Sequence, residues 1–315
     1  MNPLIVLCPG QGAQAVGMGR AWADASPEAK RVFERADATL GNRFEVPLSN
    51  LCFEGPMERL SRTDISQPAI FVASVACWAG LMASRGLGQG EAELAATAGL
   101  SLGEYTALVI AGAITFEDGL ELVALRGRAM QDAADSPEAR AGGGGGMVAL
   151  VGATDEQAQE ICDKARGSHV LVCANFNAPG QVVLSGHKLA CEAAGKVAEG
   201  MGLRFATLQV AGAFHSPLMA TAAEKLGTAL NATTISTPRC PVMSNVTAAP
   251  HVPDAANVRA GLVAQLTHPV RWAQGCQWLA AHAKGDYCEV APGRTLAGLM
   301  RRINKEIKVV NHDTP

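Results

Sequence analysis

Aromatic residues are scarce in this chain: Phe, Trp and Tyr together make up 4% of its 315 positions. A core closed by large rings is excluded, and aliphatic and alanine packing must fill the interior. Charge is also thin, at 17% of residues with a net charge of −3, so the basic footprint of a nucleic-acid binder is missing. No Cys-x-x-Cys pair occurs, and the nine cysteines are odd in number and scattered. That pattern argues against a disulfide framework and against a zinc site, and for a reducing cytoplasm. Cys77 and Cys173 sit in apolar runs and read as small core residues. No apolar run reads as long enough to span a membrane. Met1-Asn-Pro-Leu-Ile-Val lacks a basic region followed by a long apolar one, so it reads as a first strand rather than a signal peptide. Nucleic acid and membrane are both set aside as partners, and no internal repeat is visible.

What the chain does have is aliphatic bulk, 48% hydrophobic residues, and 34 glycines. The most informative use of glycine is Gly99-Leu-Ser-Leu-Gly103, preceded by the apolar Leu94–Ala98 and followed by Glu104. Gly-x-Ser-x-Gly between a strand and a helix is the pattern of a nucleophile elbow. A sharp turn there lifts the Ser101 hydroxyl into the open at a helix N-terminus. Backbone N–H groups at that end lack intrahelical partners and can receive a developing anion. Leu102, Tyr105, Ala107, Leu108 and Ala111 recur at helical spacing after the serine, and Gly112 suits the helix end.

Along the chain, Leu4–Cys8 reads as a buried strand entering the loop Pro9-Gly-Gln-Gly-Ala13. Helices are expected at 27–40, with Ser26 as N-cap, at 68–85 and at 116–132. Ala133–Ala141 is small and polar, and Gly142–Gly146 is an unbroken glycine run, so 136–146 reads as a flexible connector. Strand, helix, strand, strand, helix, strand then follow at 147–151, 155–166 (capped by Thr154), 170–174, 181–185, 189–201 and 205–208. That order is the ferredoxin-like split unit. Beyond it come helices at 217–230, 255–266, 272–283 and 295–303, alternating with strands at 241–244, 287–290 and 308–311. The expected fold is α/β: a hydrolase-like core with a mainly parallel sheet, formed by 1–135 and 209–315, carrying an inserted ferredoxin-like small domain at 147–208.

A serine hydroxyl needs a neighbouring base. Of the seven histidines, His169, His187, His251, His268 and His312 lie near polar or proline-containing segments and read as surface residues; His282 reads as a helix-end cap. His215, in Gly212-Ala-Phe-His-Ser-Pro217, lies on a loop of the returning chain that can reach the elbow. On spacing alone it is equally a helix-entry residue beside the Ser216 cap. The group that orients it is left open between a carboxylate and a carbonyl oxygen.

Taken together, these segments resemble the malonyl-CoA:acyl carrier protein transacylases and, more broadly, the acyltransferase domains of fatty-acid and polyketide synthases. The marks are Pro9-Gly-Gln-Gly-Ala-Gln14, Asp64-Ile-Ser-Gln-Pro68, Gly99-Leu-Ser-Leu-Gly-Glu104, Arg126-Gly-Arg-Ala-Met130, Met147–Gly152, Asn175–Gly186, Ala213-Phe-His-Ser-Pro217, Gln265–Trp272 and Glu289–Gly293, which span nearly the whole chain. The resemblance implies Ser101 as nucleophile, His215 as general base and Arg126 as the holder of the substrate's free carboxylate. It implies the backbone N–H groups of Gln11 and Leu102 as oxyanion hole, and the Gln265 carbonyl in place of a triad carboxylate. It further implies malonyl-CoA and holo acyl carrier protein as partners, no metal or other cofactor, and supply of extender units for fatty-acid biosynthesis, with polyketide synthesis or a serine hydrolase as alternatives. A monomer is expected. Leu100 departs from the histidine common at that position, and the glycine run looks like an expanded connector.

The chemistry fits the residue types. An arginine fork binds a carboxylate bidentately and stays charged; Arg126 follows Leu122, Val123 and Leu125, so it emerges from an apolar helix face. Phe214 is expected against the central carbon of the acyl group. Arg301, Arg302, Lys305 and Lys308 form a candidate docking face for an acidic carrier protein. A rival reading, Gly10-Gln-Gly-Ala-Gln-Ala15 as a dinucleotide fingerprint, requires a second strand about 20 residues on, where the pattern is helical instead.

Overall fold

The apolar run Leu4–Cys8 forms a strand (β1) in which every residue is buried, as expected of a parallel strand covered on both faces. The structure is a computed structural model and describes residues 2–315. Helices α1 (Arg20–Ala25), α2 (Pro27–Leu40), α3 (Leu48–Glu54), α4 (Met57–Leu60) and α5 (Thr63–Ser84) follow, then β2 (Leu94–Gly99), α6 (Gly103–Ile110) and α7 (Phe116–Ala134). Much later the chain adds α11 (Ala220–Ala232), α12 (Ala255–Gln265), α13 (Trp272–His282), β7 (Asp286–Val290), α14 (Thr295–Ile303) and β8 (Val309–His312). The strands assemble in the order β2-β1-β7-β8, all parallel. Side chains alternate across β1: Leu4, Val6 and Cys8 join the cluster under α2, α5 and α7, and Ile5 and Leu7 pack with Trp272, Leu279 and Leu296 on the other face.

Between these halves lie α8 (Pro137–Ala141), β3 (Gly145–Val151), α9 (Asp155–Ala165), β4 (Leu171–Ala178), β5 (Gln181–His187), α10 (Lys188–Gly200) and β6 (Arg204–Thr207). Their strands form a second sheet, order β4-β5-β3-β6, with every pairing antiparallel. Val148, Leu150, Val182 and Leu184 face α9 and α10, whereas Met147 and Val183 face the large core. This is the ferredoxin-like arrangement on a hydrolase-like α/β core. Ser26 and Thr154 cap their helices as expected, Thr154 in a full capping box.

Several expectations need correcting. The stretch 136–146 is not a loose connector: Ser136 caps α8, and Gly145 and Gly146 pair with His187 and Gly186 in the small sheet. Backbone pairing, which needs no side chain, holds the end of the glycine run. Helix α5 begins at Thr63, so Pro68 lies inside it. At 22 residues it is long and apolar enough to cross a membrane by length and composition, contrary to the reading that no run reaches that length, yet its apolar window is wholly buried in the core. The strand expected at 241–244 shrinks to the bridges Thr97↔Val242 and Met243↔Pro250, because the chain folds back so that Ser244 N–H donates to the Ala249 carbonyl. Helices α1, α3 and α4 were not anticipated. Pro27–Leu40 is helical and the strand after β1 arrives only at Leu94, so the dinucleotide reading fails on topology.

Candidate active site

The Gln11 and Ser101 loops leave the C-terminal ends of the neighbouring parallel strands β1 and β2, where ligands of open α/β sheets bind, and the His215 loop arrives from β6. Ser101 turns the chain from β2 into α6 with φ +54°, a left-handed conformation that costs a non-glycine residue about 1–3 kcal/mol. Gly103 makes that turn possible, since a Cβ there would lie 2.1 Å from the Cys8 carbonyl oxygen. The Ser101 N–H donates to Asn245 Oδ1 at 2.6 Å, and Asn245 Nδ2 donates to the Gly99 carbonyl at 2.7 Å, so one side chain clamps both limbs of the turn.

His215 also adopts positive φ, at +56°. Its Nδ1 lies 2.8 Å from the Gln265 carbonyl oxygen, which can only accept, so Nδ1 carries the proton. The Nε2 lone pair is left facing Ser101 Oγ at 2.8 Å. Burial first, and the Arg126 cation second, push the imidazole down from 6.5 to about 4. It is therefore neutral, and able to accept a proton, at physiological pH.

Arg126 comes from α7, and the close approach of α7 to α5 fixes its place: a Cβ at Gly127 would lie 2.5 Å from the Thr63 carbonyl oxygen. The side chain is 1% exposed. Its hydrogen bonds all go to neutral groups: Nη1 to Gln67 Oε1 at 2.7 Å, and Nη2 to Gln265 Oε1 at 2.9 Å and Ser101 Oγ at 3.0 Å. Nε is buried without a partner among the described residues, and the Tyr105 ring lies 5.6 Å from the guanidinium carbon. Burial pulls this arginine below its ordinary value. A buried cation in contact with no carboxylate, beside a serine hydrogen-bonded to an imidazole, can receive an anionic group.

The site opens into a cavity of about 460 Å³ between the two sheets, lined among others by Gln11, Met130, Asn175, Val183, Phe214 and Leu299. Phe214 is 6% exposed. The N–H groups of Gln11 and Leu102 have no backbone acceptor among the described residues.

Residues 5–312 match the acyl transferase domain family. The chain belongs to the acyl transferase family. It is 40% identical to the malonyl CoA-acyl carrier protein transacylase of Salmonella typhimurium over 96% of this chain and 93% of that protein. A crystal structure of malonyl-CoA:acyl carrier protein transacylase from Xanthomonas oryzae superposes with a TM-score of 0.90 at 39% identity, covering 100% of this chain and 96% of the other. A malonyl-transacylase in complex with its type II PKS acyl-carrier protein matches with a TM-score of 0.90 at 36% identity, covering 99% of this chain and 96% of the other.

In this acyl transferase, Ser101, His215, Arg126 and Gln265 form one hydrogen-bonded cluster, with Gln11 and Phe214 lining the cavity beside it and Leu102 next along the chain from Ser101. Four participants went unassigned in the sequence. Gln67 holds Arg126, and it faces that way because α5 starts a turn earlier than expected. Glu104, Asn245 and His251 form a buried network beneath the elbow. His251 is thus not a surface residue, being 7% exposed with Nε2 2.6 Å from Glu104 Oε1. His187 is buried too: its Nδ1 accepts from Val170 N–H, and Nε2 lies 2.9 Å from the Glu138 carbonyl oxygen. Leu100 lines the cavity.

Proposed function

We propose that this acyl transferase moves the malonyl group of malonyl-CoA onto the phosphopantetheine thiol of holo acyl carrier protein through an ester on Ser101. The observation that carries the reading is Arg126, enclosed, free of carboxylate partners and 3.0 Å from Ser101 Oγ. A malonyl thioester brings the missing carboxylate to a guanidinium fork made to receive one. The names of the relatives and the carrier protein in the neighbouring complex support the same assignment.

The reaction has two halves. Ser101 Oγ attacks the thioester carbonyl while its proton passes to His215 Nε2. The Gln265 carbonyl holds the resulting imidazolium through Nδ1–H. The tetrahedral oxyanion rests on the Gln11 and Leu102 N–H groups, each contributing on the order of 3 kcal/mol. The C–S bond breaks, the CoA thiolate takes the proton from His215, and malonyl remains on Ser101. The carrier thiol then enters, His215 takes its proton, and the thiolate displaces Ser101, which recovers a proton from the imidazolium. Kinetics are ping-pong. Phe214 borders the acyl group and opposes a methyl branch by about 1–3 kcal/mol. Nine free, buried thiols suit a reducing compartment.

Intact-protein mass spectrometry after incubation with malonyl-CoA tests this. Wild type gains one malonyl adduct, holo carrier protein removes it, and Ser101→Ala gains none. An adduct that survives in Ser101→Ala refutes the assignment, and steady hydrolysis without carrier-dependent transfer returns the hydrolase reading.

A further inference from the structure

Beneath the elbow lies a second ionisable pair that the transfer steps do not use. Glu104 is 0% exposed, and both of its oxygens accept hydrogen bonds. Oε1 faces His251 Nε2 at 2.6 Å; Oε2 receives Gln265 Nε2 at 2.7 Å and the Asn245 N–H at 3.1 Å. The same Gln265 amide donates to the Ser101 carbonyl at 3.0 Å and turns Oε1 to Arg126 Nη2 at 2.9 Å. A neutral side-chain amide therefore stands between the buried anion and the buried cation. If Glu104 touched Arg126 directly, its carboxylate would fill the guanidinium fork. If no anion were near, the cation would be left uncompensated in an apolar interior. Orientation matters as much as charge: a flipped Gln265 amide would set its NH2 against the guanidinium, donor against donor.

We propose that Glu104 is a positioning residue, a counter-charge kept one amide away from Arg126 so that the guanidinium is balanced yet open to the substrate's carboxylate, with His251 holding Glu104 in place. The proposal rests on the reading of Arg126 as carboxylate holder. It assigns to Glu104 a share in acyl selectivity without contact with the acyl group.

The test compares kcat and KM for malonyl-CoA and acetyl-CoA in Glu104→Gln, His251→Leu and His251→Gln, with Arg126→Ala in parallel. Glu104→Gln removes the counter-charge, while its one amide oxygen can still accept from Gln265 Nε2 and the Asn245 N–H as Oε2 does now. The malonyl-to-acetyl ratio of kcat/KM falls about tenfold, chiefly through a higher malonyl-CoA KM. His251→Leu lowers the ratio in the same direction and His251→Gln, which can still donate to Oε1, restores it. A purely structural role would lower both substrates alike. An unchanged ratio in Glu104→Gln overturns the proposal; where that variant does not fold, an unchanged ratio in His251→Leu does so. If Arg126→Ala shifts the ratio and these variants do not, the positioning role alone is wrong. If Arg126→Ala leaves it unchanged, the carboxylate reading fails, and the proposal with it.

Discussion

Two side chains, Arg126 and His215, have properties set by burial rather than by their chemistry alone. Arg126 is enclosed at 1% exposure and hydrogen-bonds only neutral groups, so on the proposed reading direct pairing with an anion comes only with the substrate's carboxylate. Arg126→Ala should cost malonyl-CoA transfer on the order of 2–4 kcal/mol in kcat/KM and acetyl-CoA transfer far less. Steady-state kinetics on both thioesters read this directly, and equal losses would remove Arg126 from acyl recognition. His215, pushed to about 4, should keep kcat/KM level through the range where an ordinary imidazole titrates, with the acid limb only near that value. A limb near 6.5 would mean that burial does not set this base. The linkage has a definite sign. The unfolded imidazole binds its proton near 6.5 and the folded one near 4, so this group contributes stability above 6.5 that is lost as pH falls toward 4.

At the scale of elements, the elbow was legible because its requirements are local. Two glycines, a short apolar run and a helical repeat stand within twenty residues of one another, and α14 is likewise legible from Thr295 to Ile303. Short α1, α3 and α4 were not, since helices of 4 to 7 residues leave too few turns for a period to emerge. The Pro68 boundary misled because proline favours a first helical position, whereas tertiary packing winds Thr63–Gln67 ahead of it. The network under the elbow left no local trace: Asn245 and His251 meet Glu104 across 141 and 147 positions. The elbow itself makes a firm prediction. Gly103→Ala drives a methyl into the Cys8 carbonyl at the junction of β1 and α6 and should cost about 1–3 kcal/mol or more of folding stability, read as a lower denaturant midpoint. An unchanged midpoint would show that the two backbones can part at no cost.

For the whole molecule, the reaction chamber lies where the parallel and antiparallel sheets face each other. Helix α14 contributes Thr295 and Leu299 to that chamber and carries Arg301 and Arg302, with Lys305 and Lys308 beyond it, on exposed surface. If this face receives an acidic carrier protein, Arg301→Glu should raise the KM for the carrier while malonylation of Ser101 proceeds as before. Separate assays of the two half-reactions distinguish this from a general loss, and an unaltered carrier KM would move the docking face elsewhere.

The spacing of the catalytic cluster along the chain has a consequence for biosynthesis. Ser101 and His215 are separated by 114 positions, and Gln265 follows 50 later. On the ribosome the hydroxyl is made long before its base, and the base before the carbonyl that fixes its tautomer. On the proposed reading, capture of a thioester by Ser101 therefore waits until the chain has been made through Gln265.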